Sequence, residues 1–179
     1  MAPAMARFHA DNWNGHLDRW SPPPAPGLFE APYWEDRLDR APFEWESGSA
    51  ARFVLQDPGA EGGQVLGTAN LTNVIRGPFQ ACFLGYQIAR DRQGQGLMRE
   101  ALEAIVAFAF GPMKLHRIQA NYIPENTRSG ALLARLGFVR EGLAKDYLLI
   151  GGTWRDHVLT SLSNPEFDTA ALLPPGRPA

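Results

Sequence analysis

Two glycines raise the first chemical question. Gln93-Gly94-Gln95-Gly96 lies between an apolar and aromatic stretch, Phe83 to Ile88, and a helical run that begins at Leu97-Met98. The first N–H groups of a helix have no intrahelical partner, and the positive end of the helix dipole lies beside them. Glycine lets an anion approach that backbone closely. A phosphate is therefore the ligand such a turn invites. Arg90 and Arg92 precede it, and they are either phosphate-pairing charges or ordinary solvated loop charges. Gln95 reads as solvent-facing.

The elements that must position this turn are legible from pattern. A weak helical pattern runs through Trp13, Leu17 and Trp20, and Ser21 to Gly27 (SPPPAPG) breaks it. A second helix is predicted from about Pro32 to Glu46, with Pro42 ending or bending it. Strands follow at 51–57, 65–75 and 81–90, the first two joined by a turn-rich loop at 57–64. The helix at about 97–110 stops at Gly111-Pro112. A strand at 116–123, a short helix at 126–138 capped by Asn126, and a hairpin turning at Gly151-Gly152 complete the order. Hairpins flanking a βαβα centre predict a mixed α/β layer structure rather than a doubly wound nucleotide fold. Residues 1–163 read as one domain, and 164–179, rich in Pro, Ala and Gly, as a poorly ordered tail.

Composition narrows the function. With 179 residues and 45% apolar content the chain can bury a full core. A net charge of −2 gives no overall basic field for nucleic acid. The single cysteine, Cys82, excludes an internal disulfide and reads as a small core residue. No apolar run approaches membrane-spanning length, and the N-terminus lacks the apolar segment of a secretion signal. A reducing cytoplasmic location is the expectation. His9, His16, His116 and His157 lack metal-ligand spacing.

Gln93 to Met98 resembles the acyl-CoA pyrophosphate loop of the GNAT N-acetyltransferase superfamily, whose pattern is Gln or Arg, two residues, Gly, one residue, Gly or Ala. Gln93 and Gly96 match it, and Met98 departs at the last place. Downstream, Asn121, Asn126-Thr-Arg-Ser129, Leu136-Gly137-Phe138 and Glu141-Gly142 follow in the order of the ribosomal-protein N-α-acetyltransferases, the RimJ and RimL group. Asn73 to Ile88, His116 to Phe138, Ala144 to Ile150 and Trp154 to Thr160 resemble RimJ segments in particular. The likeness covers about residues 50–163. Members usually open with a strand carrying Glu-Arg-Leu. Met1 to Ala10 (MAPAMARFHA) has nothing like it, so either that edge strand is missing or the true start lies upstream.

The resemblance implies a mostly antiparallel GNAT sheet flanked by helices, with acetyl-CoA as cosubstrate. The pyrophosphate would lie on Arg92, Gln93, Gly94, Gln95, Gly96, Leu97 and Met98, and backbone near Ile88, Ala89 and Arg90 would align the pantetheine arm. Asn126 would touch that arm while capping its helix, and Ser129 would face the leaving thiolate. Ser129 also reads as a small polar residue in a first helical turn. Asn121 faces the cleft and Tyr122 the core, because neighbours on a strand alternate. Asp146, Tyr147, Glu141, Asp156, His116 and His157 are candidate bases, none of which stands out. The acceptor implied is a protein N-terminus, that of a ribosomal protein, with neither membrane nor nucleic acid as partner and the oligomeric state open. Two other readings fit the same motifs: acetylation of a small amine such as an antibiotic, polyamine or amino acid, and a non-catalytic module that binds acetyl-CoA or the ribosome.

Overall fold

A computed structural model describes residues 1–57, 59 and 63–172. The chain opens with α1 (Ala2–Asn12), and Pro3 stands in its first turn, where a missing N–H costs nothing. A π-type turn (Trp13–Leu17) follows, in which Asn14 and Gly15 leave helical geometry. The prolines at 22–24 and 26 separate it from α2 (Ala31–Glu46). Pro42 neither ends nor breaks α2, which runs one more turn past it. Met5, Phe8 and Leu17 pack against Val65 and Ala89, so the two helices cover one end of the sheet.

Six strands form one sheet: β1 (Ala51–Gln56), β2 (Val65–Ile75), β3 (Ala81–Ile88), β4 (Arg117–Gln119), β5 (Val139–Ile150) and β6 (Thr153–Ser163). Their spatial order is β1-β2-β3-β4-β6-β5. Every pairing is antiparallel except β3 with β4. A parallel pair needs a crossover, and α3 (Leu97–Phe110) supplies it. α4 (Thr127–Arg135) links β4 to β5. The expected mixed α/β order is present, and β1 lies at the sheet edge with no strand before it among the described residues.

The main core lies between the sheet and α3 with α4. Leu71, Cys82, Leu102, Leu115, Ile118 and Leu133 are fully buried there. Each buried leucine or isoleucine contributes about 1.5–3 kcal/mol of apolar burial. Cys82 is 1% exposed, and burial pushes its thiol up to about 12, so it is inert packing as its strand position implied.

The N-terminal helix is Ala2–Asn12 rather than a run through Trp13, Leu17 and Trp20, where Asn14 and Gly15 leave helical geometry. Two further stretches differ from expectation. The strand predicted at 116–123 is only Arg117–Gln119. Beyond it the chain stays with β6, through Ala120 N–H to Thr160 O at 3.0 Å and an isolated bridge between Tyr122 and Val158, but it parts from β3. The segment predicted as a poorly ordered tail is tied to the sheet at its start. Asn164 N–H donates to His116 O at 2.7 Å, and Phe167 lies edge-on to His116. Residues 173–179 of that tail lie outside the described residues.

Candidate active site

β3 and β4 pair only through Ala81–Phe83 and Arg117–Gln119. β3 continues for five more residues, to Ile88, with no strand on that side among the described residues. On its other side Ala89 N–H donates to Leu66 O at 2.7 Å. Alternation along an antiparallel ladder then turns the N–H and C=O of Tyr86 and Ile88 into the gap. A central strand with free backbone groups is ready to receive an extended ligand arm.

Of the three backbone positions expected to line this arm, two have their N–H committed: Ala89 to Leu66, and Arg90 to Asn12 Oδ1 at 2.8 Å. The Ile88 carbonyl accepts from His16 Nε2 at 2.9 Å. The α1–α2 connection thus closes the far end of the gap. Asn12, the last residue of α1, and His16, in the turn after it, carried no sequence signal, because their partners lie more than seventy positions away.

At the gap's mouth, Gly94 has φ 74° and Gly96 has φ 83°, both left-handed. Gly96 caps α3. A Cβ built on either glycine meets no atom within 4 Å. Packing does not explain these glycines, and the space they leave over the first turn of α3 suits a phosphate. Gln93 accepts from the Arg128 guanidinium, which joins the loop to α4. Gln95 is exposed and folds back to Asp91 O at 2.8 Å. Arg90 is exposed and donates to Asn14 O. Arg92 Nε has no hydrogen-bond partner and lies 3.7 Å from the Asp91 carboxylate, a loose pair on the same loop. Leu97 is half-buried. Met98 points away from the loop into the core, 7% exposed, where its Cε lies over Gly67 of β2. Its departure from the glycine-or-alanine pattern therefore fills the core, and only its main chain faces the loop.

On the α3–α4 face of the gap, Ser129 Oγ lies 2.7 Å from the Tyr86 hydroxyl. Asn126 Oδ1 accepts from Ser129 N–H at 3.2 Å, so Asn126 is the N-cap that the sequence implied. Burial pushes the Tyr86 phenol up to about 12, against the smaller opposing effect of the Ser129 hydrogen bond. Tyr86 is therefore neutral at physiological pH, and either hydroxyl of the pair can donate. Gly130 follows Ser129, and a Cβ there would stand 2.7 Å from the Tyr122 ring. Tyr122 packs against the main core, as its strand parity required. Tyr86 is a site residue that pattern reading passed over as strand apolar bulk, although a buried tyrosine hydroxyl needs a partner.

On the opposite face, Asn121 donates from Nδ2 to the Tyr147 hydroxyl at 3.0 Å and accepts from Thr160 N–H at 3.3 Å. Its amide is thus engaged within the protein. Tyr147 is aimed here by a bulge: Ala144 pairs with His157 and Leu148 with Arg155, so three residues of β5 oppose Asp156 alone. Asp156 holds the bulge by accepting from Lys145 Nζ at 2.6 Å and from Asp146 N–H at 3.1 Å. Those bonds, that of Lys145 first, keep its carboxyl below the usual range. Asp146 adopts φ 47° there. Glu141 accepts from Arg117 and Ser161, and the Arg117 bond above all lowers its carboxyl. Ser129 and Asn121 therefore lie on opposite faces of the parted strands, each in its own polar cluster.

The comparisons agree with this architecture. Residues 3–139 match the family model described as an acetyltransferase (GNAT) domain. The chain is 47% identical over 163 residues to the [Ribosomal protein uS5]-alanine N-acetyltransferase of Escherichia coli (strain K12), covering 91% of this chain and 82% of that one. It superposes on the crystal structure of ribosomal-protein-S5-alanine acetyltransferase from Vibrio fischeri with a TM-score of 0.88 at 37% identity, covering 93% of this chain and 90% of the other. Mycobacterium smegmatis RimJ, solved in complex with CoA-disulfide, gives a TM-score of 0.83 at 32% identity over 92% and 78% of the two chains. A parted parallel pair, an open glycine turn at the head of a helix and these likenesses converge: the chain belongs to the GNAT acetyltransferase family and is an N-acetyltransferase.

Proposed function

We propose that this enzyme transfers the acetyl group of acetyl-CoA to the α-amine of a protein N-terminus, and that the acceptor is a ribosomal protein with an N-terminal alanine. The observation that carries the substrate class is the 47% identity, sustained over nine-tenths of the chain, to a relative that acts on the alanine of ribosomal protein uS5. The family context of acetyl-CoA use is supported by the neighbour solved with CoA-disulfide. No helix among the described residues is long and apolar enough to cross a membrane. The working unit is residues 1–163.

In this reading the residues divide the labour. The N–H groups at Gly94 to Met98, with Gln93 and the Arg92 side chain, hold the pyrophosphate. Tyr86 presents a free N–H and C=O, and Ile88 a free N–H, to align the pantetheine arm, the Ile88 carbonyl being held by His16. Of the three expected positions Ile88 is kept, and Tyr86 takes the place of Ala89 and Arg90, whose N–H groups are committed. Tyr86 donates to Ser129 Oγ, which leaves the Ser129 hydroxyl proton free to point at the departing sulfur. Asn126 sets the height of Ser129. Asn121 fixes Tyr147 on the acceptor side and is a positioning residue.

An α-amine has a pKa of about 8 against about 10.4 for lysine, so a substantial neutral fraction is present near neutral pH. The test is mass spectrometry of protein N-termini from cells with and without the enzyme. One ribosomal protein is expected to lose about 42 Da, the mass of an acetyl group, in the cells lacking it. Purified enzyme should also release CoA with a peptide carrying that N-terminus. Unchanged N-termini in both cells, with brisk turnover of a small amine, would sink the substrate reading.

A further inference from the structure

Acetyl transfer from the thioester to an amine that arrives protonated needs a proton acceptor, and the side chains named so far leave that place open. Of the hairpin carboxylates, Glu141 and Asp156 are committed, and Asp146 is exposed on the bulge, where its backbone has φ 47°. Glu141 is held by Arg117 and Ser161, and Asp156 is the clamp of the bulge. His116 is exposed at the paired end of β4, against Phe167.

His157 is different. It is 4% exposed, and its Nδ1 lies 3.0 Å from the Arg155 carbonyl. A carbonyl only accepts, so Nδ1 carries the proton and Nε2 of the neutral ring holds the lone pair. Nε2 makes no hydrogen bond to the described residues, and it is absent from their sealed, unpartnered atoms. The Tyr147 ring lies 5.2 Å from the imidazole, and its hydroxyl is the one that Asn121 fixes. Register puts His157 on the face of Asn121. Gln119 pairs with Ser161, and alternate residues of β6 share that face. Gly85 of β3 is on the same face, exposed at mid-sheet, where an added Cβ would meet nothing within 4 Å. The floor is therefore open at Gly85, on the face of the sheet that also carries His157. Two ion pairs flank it, Arg155–Glu125 and Lys145–Asp156, each closed on itself.

We propose that His157 is the general base of this acetyltransferase, an assignment that rests on the acetyl-transfer reading above. Nε2 takes one proton from the acceptor ammonium. The neutral amine forms the N–C bond to the thioester carbonyl, and its second proton passes to solvent water as the C–S bond breaks. The electron pair leaves with sulfur, held by the Ser129 hydroxyl, and the thiolate is protonated from water. The imidazolium returns its proton to solvent, so one proton is released per amide formed. Nδ1 stays bonded to Arg155 O throughout, which holds the ring still while Nε2 cycles.

The test compares the wild-type enzyme with His157→Ala and His157→Gln, using a peptide with an N-terminal alanine and, separately, a small primary amine. General-base removal should lower kcat/KM by about 100-fold or more with whichever acceptor the wild type uses. CoA affinity and melting temperature should stay near wild-type values. Imidazole and its substituted analogues should restore the His157→Ala rate in proportion to their basicity. A wild-type rate in both variants overturns the assignment. So does equal rescue by analogues of unequal basicity, or loss of CoA binding in step with activity, either of which marks a structural role. Wild-type turnover of the small amine alone overturns the protein N-terminus reading, while the His157 comparison still decides the base. If the wild type acetylates neither acceptor, both readings fall together.

Discussion

The two faces of the parted strands are built differently. On the α3–α4 side, Tyr86 and Ser129 form a two-membered hydrogen bond inside apolar packing, with Gly130 pressed under Tyr122. On the other side, Asn121, Tyr147 and His157 form an open chain of contacts on a floor that Gly85 leaves bare. The closed cluster suits a leaving group that is always the same, the sulfur of CoA. The open one suits an acceptor that arrives from outside and must depart as product. A rigid apolar wall raises the phenol of Tyr86 and keeps it protonated, whereas the hairpin carboxylates beyond the open cluster are lowered by their cationic partners. One site thus pairs a protected donor side with a solvent-reachable side.

The contrast can be broken most severely at Gly130. Gly130→Val should drive Tyr122 off its seat, cost about 1–3 kcal/mol of stability and lower kcat/KM at least about 100-fold. Melting curves and initial rates read both effects, and full activity in this variant would mean that the closed cluster is looser than described. Ser129→Ala should come next, lowering kcat about 10- to 100-fold with CoA affinity unchanged. Isothermal titration beside steady-state kinetics separates the two. Asn121→Ala leaves the Tyr147 hydroxyl without its donor and should lower kcat/KM about tenfold, chiefly by misplacing Tyr147. A crystal structure of that variant with Tyr147 unmoved would contradict the cause.

Tyr86→Phe should cost only about two- to fivefold, because Ser129 keeps its own proton. In a double-mutant cycle it should add nothing to Ser129→Ala, since it acts through Ser129. The smallest effect lies outside both clusters. Glu44 joins α2 to β1 through Arg52, whose hydrogen bond holds the carboxyl below its ordinary value. Stability from this pair is complete above the unfolded-state pKa of about 4.3 and is lost as pH falls through the lowered folded value. Glu44→Gln should therefore cost about 1 kcal/mol near neutral pH, a gap that closes on acidification, with kcat unaffected. Thermal melts from pH 3 to 7 follow it.

The closed side was the more legible in the sequence. Asn126 and Ser129 stand three apart at the head of a helix, and both local chemistry and family order single them out. Gly94 and Gly96 announced the loop for the same reason, since backbone sterics act on neighbours. Met98 shows where local reading stops: its departure from the loop pattern is explained by Gly67, a residue thirty-one positions earlier on another strand. The open side was mostly hidden. Asn121 was identified by strand parity, but its bond to Tyr147 depends on a bulge that no periodicity reveals. The length of β4 was overestimated because the apolar pattern of 116–123 records burial against α4 and β6, and is indifferent to whether β3 is still alongside.

The bulge in β5 has a consequence that can be stated as parity. In a regular ladder, partners across the strands share a face, so Tyr147 would sit opposite Asp156 and turn away from His157. Two additional residues in β5 undo that assignment and return the phenol to the acceptor side. Deleting Lys145 and Asp146 together would spare Asn121, Tyr147 and His157 and would restore a regular ladder from Gly142 to Ile150, yet it would move Tyr147 through the sheet. The hairpin therefore counts residues as well as choosing them, and its length is as much a determinant of the acceptor side as any side chain it carries.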